Sequence, residues 1–350
     1  MNTRHLTIAT LILLTSCNVK DNKEKLRVTP VSFPKTVNID YQELPTDYLM
    51  GLPQNMTLTE KYIILLDRLH GQKHSLHALD RDSGKLEFEF LTKGNGPCEI
   101  SLISFDNFLQ PDSQKIQYYD MNHKQFLYFD INSRTIDCRS TLRLWNKDKI
   151  WPIAFFDMGT YYMGAGRIAE KGEWSKSRIV TFNKSFDPIG FHEEEPVLSY
   201  NDEENKKLIE HMFYMYFCKI RPDKKRMVFA SFLTGIMEIY NLESAPDSIR
   251  IIKRMLLTPL MKEEDNIHGF EDAYVTDKYI YAPHSGKTRK ELNLAQNIKV
   301  FDWNGEPIIE MNVGIGIRCF AVDEKRRKIY AVALPEDKEY ILITMDLPEI

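Results

Sequence analysis

The sequence predicts an all-β fold, namely a six-bladed β-propeller with four-stranded antiparallel blades. The first observation is a unit of one apolar strand, a tight polar turn and a second apolar strand, which recurs six times in the 350 residues. The second is a further hairpin after five of these units. The third is the content of 17 Tyr and 19 Phe, residues that favour pleated, half-buried surfaces. Two hairpins make a four-stranded sheet, and six sheets at a period of roughly 45–65 residues are typical of a propeller.

The repeats follow one another along the chain with turn chemistry at each reversal, where Asp, Lys, Gly or Pro-Asp occurs. The six first hairpins are Met56–Asp67, Phe108–Asp120, Ile153–Gly166, Cys218–Ala230, Ala273–Ala282 and Phe320–Ala331. The five complete second hairpins are His77–Phe90, Leu127–Ser140, Ile179–His192, Met237–Met255 and Ile298–Val313. The sixth repeat ends with one further strand, and its blade therefore lacks a strand.

The missing strand predicts how the ring closes. Residues Thr36–Tyr41 alternate between polar and apolar side chains ahead of the first repeat. We expect them to form the outer strand of the last blade by pairing with Tyr340–Met345, which removes an exposed edge. A seven-bladed ring and a β-sandwich are the alternative folds. The segment Asn201–Met212 has an acidic start and predicts a short capped helix within a loop.

The N-terminus has the parts of an export signal. A polar start precedes the apolar stretch Leu6–Leu14, whose nine residues are too few for a membrane span of about 20. The next residues, Leu14-Thr15-Ser16-Cys17, resemble the lipobox of bacterial lipoproteins, in which the cysteine receives diacylglycerol. This resemblance implies a lipid anchor on Cys17. The residue after the cysteine is Asn18 and not Asp, the usual signal for retention in the inner membrane, which implies sorting to the outer membrane. The alternative is an ordinary signal peptide with an incidental cysteine.

These features divide the chain into three parts. Residues 1–16 are the predicted signal peptide, 17–35 the lipidated cysteine and a polar tether, and 36–350 the propeller. A net charge of −4 gives no electrostatic support for nucleic-acid binding. A mean hydropathy of −0.38, with no second long apolar run, argues against a protein that crosses the membrane repeatedly.

The segment Lys93-Gly94-Asn95-Gly96-Pro97-Cys98-Glu99 follows the last strand of the first repeat. It resembles the signature G-x-G-P-G-E of the TolB-like six-bladed propeller lipoproteins, through Gly94, Gly96, Pro97 and Glu99. Cys98 stands where that signature has glycine, which matters if the backbone there needs a positive φ. The resemblance implies the fold, but most members of the family have no established activity.

The loops that enter the innermost strands of a propeller surround its central funnel at one face. The polar residues near those strand starts are Glu99, Asp106, Asp157, Asp272 and Arg318. Converging carboxylates would bind a divalent cation such as calcium, whereas separate ones would cap loops and accept hydrogen bonds from the backbone. Arg318 facing Asp106 or Asp272 would form either a structural ion pair or a fork that binds a carboxylate.

Two further polar groups have both a functional and a structural interpretation. His70 and His74 lie four residues apart in a glycine-containing loop, and with His123 and His268 they would form a metal site or remain surface histidines. The basic loop His284–Lys290 would contact an acidic glycan, a phospholipid head group or a protein, or would only be solvated.

Aromatic and sulfur-containing residues leave similar alternatives open. Tryptophans fall in predicted loops, where they would contact sugars or proteins or pack between blades: Trp145, Trp151 and Trp174. Four cysteines lie in four different repeats without a C-x-x-C motif: Cys98, Cys138, Cys218 and Cys319. Because non-adjacent blades are too far apart for a disulfide, we expect buried free thiols.

No nucleophile elbow, kinase signature, dinucleotide fingerprint or metalloprotease motif occurs in the sequence. The sequence therefore favours a binding module for a protein or glycan of the cell envelope. The alternative function is a calcium-dependent propeller hydrolase or lyase with its site in the central funnel. A sensor or scaffold that relays ligand binding to another envelope complex is a third hypothesis.

Overall fold

A computed structural model describes residues 29–68, 73–100, 108–112, 114–120, 123–140, 150–170, 173–174, 177–194, 216–232, 235–257, 269–287, 294–336 and 339–350. Secondary structure in these ranges consists of strands, and they contain no helix that is long and apolar enough to cross a membrane. The predicted helix Asn201–Met212 lies outside them.

The described strands build six sheets, which are the six predicted blades. Three short strands come before the first blade: β1 (Thr29–Pro30), β2 (Thr36–Asn38) and β3 (Tyr41–Glu43). Blade 1 contains β4 (Pro53–Leu58), β5 (Tyr62–Asp67), β6 (His74–Asp80) and β7 (Leu86–Thr92). Blade 2 contains β8 (Phe108–Asp112), β9 (Lys115–Asp120), β10 (Gln125–Asp130) and β11 (Thr135–Ser140). Blade 3 contains β12 (Ile150–Asp157), β13 (Tyr162–Glu170), β14 (Glu173–Trp174), β15 (Ser177–Phe182) and β16 (Pro188–Glu194).

The second half of the ring has the same order. Blade 4 contains β17 (Tyr216–Ile220), β18 (Arg226–Ser231), β19 (Ile236–Asn241) and β20 (Arg250–Leu256). Blade 5 contains β21 (Tyr274–Val275), β22 (Tyr279–Pro283), β23 (Asn297–Asp302) and β24 (Pro307–Asn312). Blade 6 contains β25 (Gly316–Asp323), β26 (Lys328–Leu334) and β27 (Ile341–Asp346). Each predicted hairpin is thereby confirmed, and we call the face where the innermost strands begin the upper face.

The ring is closed by the N-terminal segment, but by a later part of it than predicted. Strand β3 pairs antiparallel with β27 and completes blade 6, with Tyr41 opposite Met345 and Glu43 opposite Ile343. Of the predicted segment Thr36–Tyr41, only Tyr41 pairs with β27, whereas β2 pairs in parallel with β24 of blade 5. The alternation of Thr36–Tyr41 indicates that one side is buried, but it does not determine which sheet edge the strand joins.

We call residues 29–43 the strap, because it crosses the outer edges of blades 4, 5 and 6 in turn. Its first strand, β1, pairs in parallel with β20 of blade 4, although the sequence places these residues in the tether. Its alternate apolar side chains point inward: Val31 and Phe33 pack between blades 4 and 5, and Val37 and Ile39 pack between blades 5 and 6. We call the packed interface between two neighbouring blades a seam. The strap therefore buries apolar surface in two seams and also extends the sheets of blades 4, 5 and 6.

A charged residue dominates the seam between blades 3 and 4. The carboxylate of Glu238 is fully buried and accepts hydrogen bonds from Arg178 Nη1 and Arg254 Nε, each at 2.5 Å. The hydroxyl of Tyr240 donates to the same carboxylate at 3.0 Å. Burial disfavours the charged form, yet the two guanidinium groups hold the pKa of Glu238 below its usual value.

A disulfide joins blades 1 and 2, which corrects the expectation of free thiols for two of the cysteines. Cys98 and Cys138 are bonded with their Cα atoms 5.4 Å apart. Cys98 lies in the loop after blade 1 and Cys138 in the outer strand of blade 2, so the bridge spans adjacent blades. Cys218 and Cys319 are buried and are not disulfide-bonded, as expected. Cys98 has a φ of 58°, the left-handed conformation for which glycine is favoured.

Removal of this disulfide is expected to lower the free energy of unfolding by about 2–4 kcal/mol in the variant Cys98→Ala/Cys138→Ala. The variant Cys98→Gly/Cys138→Ala should recover about 1 kcal/mol of that loss, because glycine adopts positive φ without a steric penalty. Urea denaturation of both variants measures the difference. Equal stability of the two double variants would show that the backbone at residue 98 is unstrained.

Candidate functional site

The lower half of the central channel contains a cavity of about 760 Å³. It is lined by the ends of innermost strands and their turns, including Asn55–Glu60, Ala273–Lys278 and Val322–Arg326. Five basic and four acidic side chains occur in this lining, so the cavity as a whole has little preference for either sign of charge. One pair, Arg81 and Asp323, is already joined by a 2.5 Å hydrogen bond.

The upper end of the channel has a different character, and Arg318 is its central residue. A register shift in blade 6 lies between Ile317 and Cys319, so Arg318 is the extra residue of a β-bulge. Ile317 packs between blades 5 and 6, and Cys319 packs between blades 6 and 1. Successive side chains of a strand normally alternate between the two sides of the sheet, as Ile317 and Cys319 do. Because of the bulge, the side chain of Arg318 does not follow this alternation.

One hydrogen bond fixes the guanidinium of Arg318. Its Nε donates to the Pro53 carbonyl of blade 1 at 2.7 Å. Among the residues that the structure describes, no hydrogen-bond partner or carboxylate contacts its terminal nitrogens Nη1 and Nη2. A half-buried guanidinium with a fixed Nε and two open donors is a fork of the kind that binds carboxylates.

Gln54 lies beside Arg318 because both side chains donate a hydrogen bond to the carbonyl of Pro53. Gln54 is also a bulge residue, since blade 1 has a register shift between Pro53 and Asn55. Its Nε2 donates to the carbonyls of Leu52 at 3.1 Å and Pro53 at 3.3 Å. The side chain is 6% exposed, and its Oε1 has no hydrogen-bond partner within the described part of the chain. A buried acceptor without a donor is costly, so this atom is suited to a ligand N–H or O–H group.

Glu271 contributes a titratable group whose pKa is influenced by the charge of Arg318. Its Oε2 accepts the backbone N–H of Ala295 at 3.0 Å. Burial raises the pKa of Glu271 to about 7, although the Ala295 amide and the nearby charges of Arg318 and Lys287 act in the opposite direction. We refer to Gln54, Glu271 and Arg318 together as the channel mouth.

Exposed aliphatic residues occur next to the channel-mouth residues in the chain or in strand pairing, in blades 6 and 1. Leu52 is 43% exposed and directly precedes Pro53, while Leu334 is 37% exposed and pairs with Gly316, two residues before Arg318. Leu49, which is 62% exposed, lies in the connection from β3 to β4. The mouth thus combines an open cationic fork and a buried acceptor with an apolar border, the composition of many ligand sites.

Glu99 has a structural role. Its Oε2 accepts the N–H of Gly96 at 2.7 Å, and a Cβ at Gly94 would lie 2.0 Å from that oxygen. The Glu99 carbonyl accepts Gln125 Nε2 of blade 2 at 2.8 Å. The segment from Gly94 through Pro97 to Glu99 therefore folds around its own carboxylate and links the first two blades.

The other predicted carboxylates are also separately partnered. Asp157 accepts hydrogen bonds from Tyr128 at 2.9 Å and Lys184 at 2.6 Å, at the lower end of blade 3. Asp272 accepts the Ala273 N–H at 2.7 Å and lies 4.0 Å from Lys219 Nζ. Asp106 lies outside the described residues. The described part of the chain has no cluster of three or more His, Cys, Asp or Glu residues that could hold a metal ion.

The remaining candidates are placed as follows. His123 Nδ1 is 2.8 Å from Asp120 within blade 2, and His74 opens β6 of blade 1, so these two histidines lie in different blades. His284 is buried, and burial lowers its pKa to about 3. Trp151 and Trp174 belong to strands β12 and β14, not to the loops predicted for them. Other candidates lie outside the described residues: His70, His268, Trp145 and residues 288–290 of the basic loop.

The sequence identified Arg318 but missed Gln54 and Glu271. Alignment of the innermost strands would have placed Gln54 near the position of Arg318, because both lie close to the start of such a strand. Nothing in the sequence marks Glu271, since its raised pKa depends on its burial in the folded protein.

Solved structures with the same fold support the architecture. A Bacteroides fragilis protein assigned as exported matches with a TM-score of 0.57 and 12% identity over 90% of this chain and 99% of that chain. A gluconolactonase of Xanthomonas campestris matches with a TM-score of 0.50 and 9% identity over 86% and 87% of the two chains. At these identities the likeness shows the fold alone.

No curated protein matches this chain. The family described as TolB-like 6-blade propeller-like matches residues 32–325, which includes most of the ring. The count of six blades agrees with that description. The chain therefore belongs to the TolB-like six-bladed propeller family.

Proposed function

We propose that this protein is an exported, lipid-anchored binding module whose channel mouth binds a ligand that carries a carboxylate. The observation that carries the proposal is the guanidinium of Arg318, whose Nε donates to the Pro53 carbonyl and whose two terminal nitrogens have no partner among the described residues. Carboxylates and guanidinium groups form paired, charge-assisted hydrogen bonds, so this fork selects planar anionic groups.

Two features support the location at a membrane. The apolar stretch and Leu14-Thr15-Ser16-Cys17 have the pattern of an export signal with a lipidation site. The Cys98–Cys138 disulfide suits an oxidising compartment outside the cytoplasm. The strap begins at Thr29, twelve residues after Cys17, so the anchor would hold blade 4 within about 40 Å of the bilayer. Sorting to the outer membrane is part of this proposal.

The site favours binding over catalysis. Cys319, the nucleophile nearest in sequence to Arg318, is fully buried, and burial raises the pKa of its thiol. A calcium-dependent hydrolase would need converging carboxylates. Glu99, Asp157 and Asp272 instead contact different partners at different positions in the ring.

The binding proposal is tested by calorimetric titration of the purified full-length protein in detergent. The probes are acidic compounds and their neutral counterparts: N-acetylglycine against its amide, and galacturonate against galactose. We expect an acidic probe to bind and Arg318→Gln to weaken that binding by about 10–100-fold, the value of a charged hydrogen bond. Arg250→Gln, on the outer strand of blade 4, is the matched control and should leave the affinity unchanged. Equal affinity for acidic and neutral probes would contradict the proposal.

The anchor is tested separately in cells. Cys17→Ala should move the protein from the membrane fraction to the soluble fraction, because the lipid attaches to that thiol. Retention of Cys17→Ala in the membrane fraction would contradict lipid anchoring without affecting the ligand site.

The affinity for a carboxylate should fall as the pH rises from 6 to 8.5. The reason is that Glu271, with a pKa of about 7, is mostly neutral at pH 6 and becomes an anion close to the ligand at pH 8.5. A bound carboxylate disfavours that ionisation, so binding and proton loss oppose each other. We expect a decrease of about 3–10-fold, which corresponds to a coupling of up to one pKa unit. Glu271→Gln should give an affinity that is independent of pH over this range, and a persistent slope would assign the effect to another group.

A further inference from the structure

We infer that the ligand of the channel mouth is the free C-terminus of a polypeptide whose last residue is aliphatic. This inference rests on the proposed function, because it specifies the ligand that Arg318 would bind. It follows from three features of the mouth that must be satisfied by one ligand: an open donor fork, a buried acceptor and an aliphatic border.

The first two features lie next to each other. Arg318 Nε and Gln54 Nε2 both donate to the Pro53 carbonyl, at 2.7 and 3.3 Å. A ligand carboxylate on the fork therefore lies close to Gln54 Oε1, which needs a donor. The terminal residue of a peptide provides this pair of groups, since its amide N–H is separated from the carboxylate by one Cα atom. Capture of a C-terminal carboxylate is a recurring mode of peptide recognition.

The orientation of Gln54 follows from hydrogen-bond chemistry. Its amide group contacts two carbonyls, of Leu52 and Pro53, and a carbonyl only accepts. The nitrogen must therefore face them, which leaves Oε1 as the free atom. The open position thus requires a donor from the ligand, and a second carboxylate oxygen would not satisfy it.

The third feature determines the last side chain. Leu52 directly precedes Pro53, whose carbonyl Arg318 binds, and Leu334 pairs with Gly316, two residues before Arg318; both are more than one third exposed. Burial of an aliphatic side chain against them would be favourable by the hydrophobic effect. A sugar acid would also supply a carboxylate and donors, but its polar ring would not use this aliphatic border.

The experiment compares peptides on the full-length protein in detergent by fluorescence anisotropy. The labelled probe is the tetrapeptide Ser-Gly-Ala-Leu with a free C-terminus, and unlabelled competitors are its C-terminal amide, Ser-Gly-Ala-Gly, N-acetylglycine and galacturonate. We expect the free acid ending in Leu to bind at least about tenfold more tightly than each of these. Because the comparison changes only the ligand, it does not depend on the folding of any variant.

Two variants then assign the contacts. Gln54→Leu should lower the affinity for the tetrapeptide about tenfold. Leu334→Ser should remove the preference for a peptide that ends in Leu over one that ends in Gly. The thermal midpoint of each variant shows whether it is folded. Glu336→Gln, just beyond the end of β26, is the control and should bind like the unmodified protein.

The outcomes separate this inference from the proposed function. If galacturonate or N-acetylglycine binds as tightly as the peptide and Arg318→Gln abolishes that binding, the ligand class inferred here is wrong and the carboxylate site stands. If no acidic probe binds in a manner that depends on Arg318, both are wrong. Tight binding of the peptide amide would overturn the assignment of the fork to the C-terminal carboxylate.

Discussion

A chain that starts at Leu44, and therefore lacks the strap, is expected not to form a stable closed ring. Three losses coincide: blade 6 loses its fourth strand, the edges of blades 4 and 5 lose β1 and β2, and the strap's apolar side chains leave two seams. The exposed backbone of β27 would then be a template for pairing with other chains. We expect aggregation or a thermal midpoint lowered by more than 10 °C, measured by static light scattering and circular dichroism.

A single substitution tests the packing role of the strap without altering its backbone. Phe33 has its ring centroid 5.2 Å from that of Phe301 and 4.8 Å from Lys299 Nζ. Phe33→Ala should lower the free energy of unfolding by about 2–3 kcal/mol, somewhat less than a fully buried Phe→Ala change because the ring is partly exposed. Ser32→Ala, at the exposed neighbouring position, should change it by less than about 0.5 kcal/mol. Equal effects of the two changes would mean that the seam does not need the strap.

Glu238→Ala is expected to lower the free energy of unfolding by about 3–5 kcal/mol. The substitution leaves Arg178 and Arg254 buried in the seam between blades 3 and 4 without their carboxylate. The cost arises from these uncompensated charges more than from the lost attraction, because desolvation of a guanidinium is expensive. Urea denaturation measures the change.

The matched control is an ion pair at the surface. Asp346→Asn breaks the bond of 2.6 Å between Lys328 and Asp346, whose side chains are largely exposed. It should change stability by less than about 1 kcal/mol. A large effect of Asp346→Asn, or a small effect of Glu238→Ala, would contradict the importance of burial for this network.

The Glu238 network also predicts a pH dependence of stability. The pKa of Glu238 is depressed in the folded state, so its contribution is present above the unfolded value of 4.5 and is lost as the pH falls through the folded value. His284 acts in the same direction: its folded pKa of about 3 lies below the unfolded 6.5, so stability decreases as the pH falls from 6.5. The decrease between pH 6.5 and 4.5 should therefore become smaller in His284→Asn, although burial also lowers the pKa values of His77 and His192 and they act in the same direction. The decrease below pH 4.5 that depends on Glu238 should remain.

The candidate site was only partly accessible to sequence reasoning. Arg318 was recognised from its position near the start of an innermost strand, together with its two alternative roles. Its two open donors could not be inferred, because they depend on a β-bulge in β25 and on the carbonyl of Pro53, 265 residues away. Of its two predicted partners, Asp272 lies 4.0 Å from Lys219 Nζ and Asp106 lies outside the described residues, whereas the charge of Arg318 lowers the pKa of Glu271.

The sequence by itself determined the number of blades, the order of the strands and the need for a closing strand. These properties depend on period-two alternation and on turn residues, which are local and repeat in each blade. The tertiary structure alone decided that β3 closes the ring, that Cys98 meets Cys138, and that Gln54 and Arg318 share one carbonyl. The disulfide and the shared carbonyl form between blades, where the packing of neighbouring sheets sets the distance, and β3 joins a sheet whose other strands lie at the opposite end of the chain. A repeat pattern along the chain does not contain that information.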